Sequence, residues 1–388
     1  MHYGIDDIAF STTHYALPLS ELAKIQGIDV GKFHVGLGQE EMSIPAHDED
    51  IVTMGAAAAK RVLKDVNLSE VRTVLFATES GIDQSKAAGV YVHGLLGLPA
   101  TSRVVELKQA CYSATAAVQL GLAMVQRHPK QKVLVVASDV ARYDLGSSGE
   151  PTQGAAAVAI LLSANPRLLR VEPESGLHTT DVMDFWRPNH RSRALVDGQY
   201  SIRVYFDSLT AAWQDYQEQG GAPFEDFIGF SYHQPFTRMA VKAHQNLSRA
   251  IGHKLDSDQI NAQILPTTNY NRRIGNSYTA SLYVGLISLL ENHPEDLTDK
   301  RIGLFSYGSG AVGEFFGATV VPGYQGLLRK EENIAMLDSR ELIDHETYLK
   351  LQDYPEPTDG GEHPIAPATK GEFRLAAINN DQRIYESR

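Results

Sequence analysis

Three side chains that suit covalent catalysis, Cys111, Glu79 and His233, stand at the ends of predicted helices or strands. Cys111 is the only cysteine of the 388 residues and precedes an Ala-rich run that continues to about Arg127. A helix suits that run, and the unpaired N–H groups and positive dipole at its start favour an anion. We therefore predict a nucleophilic Cys111 thiol of lowered pKa. The alternative is a small buried apolar residue, since free cysteines are among the most buried types.

Glu79 and His233 each follow an apolar run that is typical of a buried strand. The run before Glu79 covers residues 71–78, and the run before His233 covers residues 227–232. Acid–base residues in α/β sheets of this class lie at the carboxyl ends of strands, so both side chains are candidates to reach a substrate. A capping or solvent-facing glutamate and a structural histidine are the alternatives.

Asn276 and the loop Gly308-Ser309-Gly310 are two further candidates. The loop follows an apolar strand and can aim a backbone N–H at a developing oxyanion, although a tight turn explains it equally. Asn276 stands at the entry to a predicted helix, where an asparagine often merely caps. The sequence has no Walker-type phosphate loop and no G-x-S-x-G, and the G-x-G-x-x-G spacing at 308–313 leads into a predicted strand instead of a helix, which disfavours nucleotide cofactors and an α/β-hydrolase.

Alternating strands and helices must position these groups, which predicts an α/β fold with a parallel or mixed sheet. Strands are predicted at 4–11, 71–78, 104–107, 132–138, 155–163, 227–232, 301–307 and 314–321, and helices at 19–26, 50–64, 85–96, 114–127, 238–251 and 277–292. A strand, a Gly-containing loop and a returning strand occur in both halves of the chain, which indicates an internal duplication.

Two segments interrupt this rhythm. Residues 172–200 are polar and carry Asp, Arg and His without clear periodicity, which favours a functional insertion over a surface loop. Residues 337–388 are charged and contain Pro and Gly clusters. We predict a solvated extension with one helix near 339–352.

Composition excludes several classes of protein. A formal net charge of −12 argues against nonspecific nucleic-acid binding, and the single cysteine excludes a disulfide framework or a cysteine-rich zinc site. The first residues carry no signal-peptide pattern, and no run of about 18 apolar residues occurs. We expect a soluble, cytoplasmic protein with no membrane partner.

The order and spacing of Cys111, His233, Asn276 and the loop 308–310 resemble the thiolase superfamily of condensing enzymes. The segments Ala77-Thr78-Glu79-Ser80-Gly81-Ile82-Asp83-Gln84-Ser85-Lys86-Ala87 and Phe305-Ser306-Tyr307-Gly308-Ser309-Gly310 are similar to those of the hydroxymethylglutaryl-CoA synthase family in its bacterial form. The likeness covers essentially the whole chain. It implies a five-layer αβαβα fold of two duplicated halves, 1–165 and 166–388, and a homodimer.

The resemblance also implies a reaction, in the mevalonate route to isoprenoids. Cys111 takes the acetyl group of acetyl-CoA, and Glu79 removes a proton from its methyl group. The enolate adds to the ketone of acetoacetyl-CoA, which His233 and Asn276 polarise, and water releases hydroxymethylglutaryl-CoA. The backbone N–H groups of Cys111 and Ser309 form the oxyanion hole.

The same likeness implies further substrate contacts. Thr152 and Ser201 match positions near the acyl chain, Tyr143 walls the site, and Lys242 contacts a CoA phosphate. Arg238 stands where the family often carries a second basic residue, and the change in geometry puts its CoA contact in question. No metal or cofactor is implied, because the CoA thioesters are substrates.

Two alternatives stay open. A ketoacyl synthase III-like enzyme would use a malonyl thioester and would not require Glu79. A catalytically inactive module would hold acyl-CoA without reacting with it.

Overall fold

The computed structural model describes residues 1–352 and 355–388. The strands are β1 Tyr3–Thr12, β2 Tyr15–Pro18, β3 Glu41–Ile44, β4 Val71–Ala77, β5 Arg103–Leu107, β6 Lys132–Val140, β7 Ala155–Ala164, β8 Leu169–Thr179, β9 Phe185–Trp186, β10 Leu195–Val196, β11 Phe227–Tyr232, β12 Arg301–Gly308, β13 Val312–Val320, β14 Glu341–Leu342, β15 Glu362–Pro364, β16 Phe373–Asn379 and β17 Gln382–Ser387. The α-helices are α1 Leu19–Gln26, α2 Ile51–Leu63, α3 Ala88–Leu95, α4 Ser113–Arg127, α5 Gly198–Glu218, α6 Met239–Ala250, α7 Ser257–Ile264, α8 Asn271–Ile274, α9 Ser281–Asn292, α10 Lys330–Asp338 and α11 His345–Gln352.

Nine of these strands form one sheet with the order β11-β12-β13-β8-β1-β7-β6-β4-β5. On one side of the centre, β4 pairs parallel with β6, and β6, β7 and β1 follow antiparallel. On the other side, β11 pairs parallel with β12, and β12, β13 and β8 follow antiparallel. The same pattern therefore occurs twice, which confirms the internal duplication. The halves join where β1 meets β8.

Helices α4 and α9 occupy corresponding places in the two halves and meet at the centre of the molecule. The Thr115 and Tyr283 hydroxyls, one from each helix, lie 2.9 Å apart and share a hydrogen bond. Apolar side chains of both helices belong to one buried cluster together with strands of both halves. Helices α2 and α5 pack against strands of the first and second halves, respectively. A helical layer thus lies between the two halves of the nine-stranded sheet, and helices cover the outer faces of both halves.

The helix starts follow local capping chemistry. The predicted helix 50–64 spans Ile51–Leu63, and Asp50 caps it by accepting the N–H groups of Val52 and Thr53. The predicted helix 277–292 is split into a short 3₁₀ turn and the α-helix that begins at Ser281. This break matters because it delivers Asn276 and Ser281 to the same region of the molecule.

The prediction of an irregular insertion at 172–200 is wrong for its first part. Strand β8 runs to Thr179 and pairs with β13, so residues 172–179 belong to the centre of the large sheet. Their polar residues concealed the strand because several of these side chains remain only half-buried. Irregular chain is confined to the part between β8 and α5, where β9 and β10 form a short hairpin.

The prediction of a solvated tail is also wrong. Strands β15, β16 and β17 form an antiparallel sheet, and Phe373 at the start of β16 packs into the apolar cluster of α2 and α3. The predicted helix at 339–352 is confined to α11, and residues 353 and 354 of the predicted tail lie outside the described residues. Charged residues dominate the segment, but a few widely spaced apolar side chains anchor it.

Replacing Phe373 with alanine should destabilise the protein by about 3–5 kcal/mol, because its ring is 4% exposed and its removal leaves a cavity. The measurement is the apparent free energy of unfolding in urea. Ile384→Ala on the adjacent strand is the matched control, since that side chain is 44% exposed. Equal stability of the two variants would show that the carboxy-terminal sheet does not contribute to the core.

No helix among the described residues is long and apolar enough to span a membrane.

Candidate active site

The side chains of Cys111 and Glu79 meet directly. Cys111 lies in the loop after β5, two residues before α4, and Glu79 lies in the loop after the neighbouring strand β4. The Cys111 thiol donates a hydrogen bond to Glu79 Oε1, with 2.9 Å between sulfur and oxygen. Because β4 and β5 are parallel neighbours, their carboxyl ends bring both residues to one edge of the sheet.

The predicted lowering of the Cys111 pKa is wrong. Burial raises the pKa of the Cys111 thiol well above its ordinary value, and the negative charge of Glu79 raises it further. Burial and the charge of Asp139 raise the pKa of Glu79 to about 8, against the opposing hydrogen bond from Cys111 and the charge of Arg187. The lowering of the Cys111 pKa expected from the helix N-terminus is therefore smaller than the increase caused by burial and the adjacent Glu79 carboxylate. Glu79, with its raised pKa, is a stronger base than an ordinary carboxylate.

Asp139, which was not predicted from the sequence, holds the loop of Glu79 in place. It is fully buried near the end of β6, and its Oδ1 accepts the backbone N–H groups of Glu79 and Ser80, each at 2.9 Å. Its Oδ2 accepts the backbone N–H of Thr279 at 3.1 Å and the Thr279 hydroxyl. Asp139 therefore ties the loop of Glu79 to the segment that follows Asn276. A charged residue near the end of an apolar strand was the signal that could have revealed it.

We expect Asp139→Asn to lower kcat about 10- to 100-fold, which corresponds to the loss of about 1.5–3 kcal/mol of charge-assisted hydrogen bonding. The Asp139 charge raises the pKa of Glu79, so its removal should move the rise of kcat with pH toward lower pH. The measurement is kcat between pH 6 and 10. Thr279→Val keeps the Asp139 charge and should leave the position of this rise unchanged, and an unshifted profile in Asp139→Asn would contradict the electrostatic role.

His233 lies directly after β11 and is held by three hydrogen bonds. Its backbone N–H donates to Phe305 O at 2.9 Å, its carbonyl accepts the Tyr205 hydroxyl at 2.8 Å, and its Nδ1 lies 2.8 Å from Ser281 Oγ. Burial lowers the pKa of His233 to about 3, which keeps the ring neutral at physiological pH. Burial and negative charge at Cys111 raise the pKa of Tyr205, whose hydroxyl donates to the His233 carbonyl.

Asn276, in the second half of the chain, is buried against Thr152 of the first half. Its backbone N–H donates to Thr152 O at 2.9 Å, and its side-chain oxygen accepts the N–H of Tyr278 at 2.9 Å. The capping role considered from the sequence is therefore present. Because the side-chain oxygen is used in the turn, the amide NH₂ is the part that can polarise a substrate oxygen.

Ser309 lies at the end of β12, close to the loop of Cys111. Gln109 Nε2 donates to Ser309 O at 3.3 Å, and a Cβ on Gly308 would lie 2.5 Å from Gln109 O. Only glycine allows this approach. The buried Asp184, also missed from the sequence, accepts the N–H of Gly310 at 2.9 Å and so fixes the loop.

Three of the predicted substrate contacts lie around this core with their polar atoms engaged. The Tyr143 ring is buried in one aromatic cluster with Tyr278, against which Cys111 packs. The Thr152 hydroxyl donates to Gly149 O at 2.7 Å. The Ser201 hydroxyl donates to Asp184 Oδ2 at 3.0 Å, the same oxygen that accepts the Tyr307 hydroxyl at 2.7 Å.

Arg238 and Lys242 lie on the surface at the start of α6. Both side chains are exposed, one turn apart, and Lys242 Nζ is 5.1 Å from the centre of the Phe236 ring. The backbone N–H of Arg238 donates to Leu37 O at 2.7 Å. Both cations are therefore at the surface, whereas the side chains of His233 and Asn276 are buried.

A cavity of about 1380 Å³ opens beside Glu79. Its wall includes Glu79, Arg142 and Arg187 and reaches Leu375 of the carboxy-terminal sheet. Cys111, His233 and Asn276 are not part of this wall. The cavity therefore reaches the site at Glu79.

A duplicated sheet with a cysteine before the central helix, and with Glu79 and His233 at strand ends, defines a condensing enzyme of the thiolase-like fold. The family profiles for the N-terminal and C-terminal parts of hydroxymethylglutaryl-coenzyme A synthase match residues 2–166 and 247–356. The chain is 41% identical to the hydroxymethylglutaryl-CoA synthase of Enterococcus faecalis, with all of both chains covered. It belongs to the hydroxymethylglutaryl-CoA synthase family.

Solved structures agree with this assignment. A crystal structure of an HMG-CoA synthase complexed with CoA superposes with a TM-score of 0.95 at 38% identity, covering both chains completely. MvaS in complex with 3-hydroxy-3-methylglutaryl coenzyme A gives a TM-score of 0.91 at 35% identity, covering 100% of this chain and 99% of the other. The polyketide-biosynthesis 3-hydroxy-3-methylglutaryl-ACP synthase PksG of Bacillus subtilis is 35% identical over 88% of this chain and 86% of its own.

Proposed function

We propose that the protein condenses acetyl-CoA with acetoacetyl-CoA and water to give hydroxymethylglutaryl-CoA and CoA. The observation that carries the proposal is the 2.9 Å contact between Cys111 Sγ and Glu79 Oε1, inside a fold shared over its full length with a CoA-bound synthase. A cysteine can hold the acetyl group, and a carboxylate beside its sulfur can reach the methyl carbon of that group. A ketoacyl synthase III-like enzyme would not require Glu79 beside its cysteine.

In the first step, the Cys111 sulfur attacks the carbonyl of acetyl-CoA, and Glu79 accepts the thiol proton through the hydrogen bond that already joins them. The C–S bond to CoA breaks, and the proton passes to the departing CoA thiolate. The product is an acetyl thioester on Cys111 with Glu79 again ionised. The backbone N–H groups of Cys111 and Ser309 stabilise the oxyanion.

In the second step, Glu79 removes a methyl proton from the acetyl thioester. The pKa of about 8 makes Glu79 a stronger base than a solvated carboxylate. The carbanion forms a C–C bond with the ketone carbon of acetoacetyl-CoA, whose oxygen takes a proton from neutral His233 and a hydrogen bond from the Asn276 NH₂. The proton that Glu79 took from the methyl group then restores the neutral His233 ring and leaves Glu79 ionised. Water adds to the Cys111 thioester and the C–S bond breaks; one water proton returns to the sulfur as the thiol, the other leaves to solvent, and the product carries a carboxylate.

The remaining predicted residues contact or support parts of the substrate away from the reacting carbons. We propose that Tyr143 closes the wall beside the acyl group and that Thr152 and Ser201 support that wall, since their hydroxyls donate to Gly149 and Asp184. Lys242 and, with a different geometry, Arg238 attract the CoA phosphates, because both are exposed cations on one side of α6.

We further propose that two copies form a homodimer through β5. Among the described residues this strand is the outer edge of the sheet, so one row of its backbone groups faces no further strand, and Val105 on it is 40% exposed. Sedimentation equilibrium should give the mass of two chains, and a monomer at micromolar concentration would contradict the proposal.

Within the chain, we propose a division into halves 1–165 and 166–388, since the short connection between β7 and β8 spans this boundary. We place the protein in the cytoplasm and in the mevalonate route to isoprenoids. A chain with one cysteine and no possible intramolecular disulfide is typical of a reducing compartment, which supports this placement.

The test is turnover of purified protein with acetyl-CoA and acetoacetyl-CoA, followed by CoA release and by mass spectrometry of hydroxymethylglutaryl-CoA. Product should form from CoA thioesters alone. A reaction that occurs only with acyl-carrier-protein thioesters would assign the chain to the chemistry named for PksG, and turnover of malonyl thioester would favour a ketoacyl synthase. Binding of acetyl-CoA without covalent transfer would indicate an inactive module.

A further inference from the structure

The hydroxyl of Ser281, the first residue of α9, lies against the ring of His233. Ser281 Oγ is 2.8 Å from His233 Nδ1 and also accepts the backbone N–H of Gln234 at 3.2 Å. Ser281 has no exposed surface, and His233 is 3% exposed. Water therefore cannot complete the hydrogen bonding of this pair.

Counting donors fixes the position of the histidine proton. The Ser281 hydroxyl carries one hydrogen, and His233 Nδ1 is its one acceptor among the described residues. If Nδ1 carried the proton instead, Ser281 Oγ would receive two donors, and its own buried hydrogen would be left unpaired, which is unfavourable. With a bare Nδ1, each of the three groups is satisfied, and the ring proton lies on Nε2.

We propose that Ser281 is a positioning residue that holds neutral His233 in the tautomer with the proton on Nε2. This proposal rests on the condensation described above, and it determines which ring nitrogen of His233 donates a hydrogen bond to the substrate. Nε2 is then a donor to the ketone oxygen and has no lone pair to accept the thiol proton of Cys111. Glu79, which is already hydrogen-bonded to Cys111, is the remaining acceptor of that proton.

Nitrogen NMR of the full-length protein with ¹⁵N-labelled histidine tests the tautomer directly. The His233 signals are assigned as those lost in His233→Gln. We expect wild type to show an unprotonated Nδ1 and a protonated Nε2, and Ser281→Ala to shift toward the opposite pattern. A protonated Nδ1 in wild type would overturn the proposal, whether or not the protein condenses CoA thioesters.

The two half-reactions supply the kinetic test. Ser281→Ala should lower the rate of condensation about 100-fold, because the ketone loses its proton donor. It should leave acetylation of Cys111 by acetyl-CoA within about twofold, since Glu79 serves that step. Ser281→Thr keeps the hydroxyl and should recover most of the condensation rate.

Ser288→Ala is the matched control, because Ser288 is a buried serine of the same helix whose hydroxyl donates to Pro266 O at 2.5 Å. It should leave the ratio of the two half-reaction rates unchanged. Equal losses of acetylation and condensation in Ser281→Ala would indicate a structural role and overturn the proposal. Absence of hydroxymethylglutaryl-CoA with wild type would instead reject the proposed function.

Discussion

Replacing Cys111 with serine should lower kcat for condensation roughly 10⁴- to 10⁶-fold, the effect expected when a covalent nucleophile is lost. A serine hydroxyl is a far weaker nucleophile than a thiol and would face the same carboxylate, whose charge opposes its ionisation. The measurement is CoA release with both substrates, together with labelling by radioactive acetyl-CoA. Wild type should carry an acid-stable, hydroxylamine-sensitive label that the variant lacks.

The control for Cys111→Ser is its thermal unfolding midpoint. Because the substitution changes one atom, the midpoint should stay close to that of wild type. Full CoA release by the variant would contradict the acetyl-enzyme route. Labelling at the same stoichiometry in both proteins would place the acetyl group on another residue.

Replacing Glu79 with glutamine should separate the two half-reactions. We expect condensation to fall about 10²- to 10⁴-fold, because glutamine keeps the shape of the side chain but cannot accept the methyl proton. Acetylation of Cys111 should change less than about tenfold, since the loss of a proton acceptor is offset by the loss of a negative charge that raises the pKa of Cys111.

The measurement for Glu79→Gln combines rapid-quench trapping of acetyl-enzyme with exchange of the acetyl methyl protons in deuterated water. Acetyl-enzyme should accumulate, and methyl exchange should disappear. In wild type, the condensation rate should rise with pH through about 8, because Glu79 acts as a base only when ionised. Methyl exchange at the wild-type rate in Glu79→Gln would assign the base role elsewhere.

Glu79 and His233 were predictable from the sequence, because the carboxyl ends of parallel strands meet at one edge wherever such a sheet forms. Asp139 was predictable in the same way, since it lies near the carboxyl end of β6. The raised pKa of Cys111 was not predictable from its neighbours in sequence, since it depends on Glu79, 32 residues away, whose loop Asp139 holds. The carboxy-terminal sheet was missed because it depends on sparse apolar anchors such as Phe373, whose contacts lie far away along the chain.

The link through Asp139 has a consequence for how the protein responds to stress. The Asp139 carboxylate belongs to the first half of the chain, and the Thr279 N–H and hydroxyl that donate to it belong to the second. These hydrogen bonds therefore hold the two halves together at the active site. A small separation of the two halves would move Glu79 and Cys111 away from His233 and Asn276, while the strands within each half stayed paired. On heating or in denaturant, enzymatic activity should therefore be lost before secondary structure, so activity is the more sensitive measure of separation between the halves.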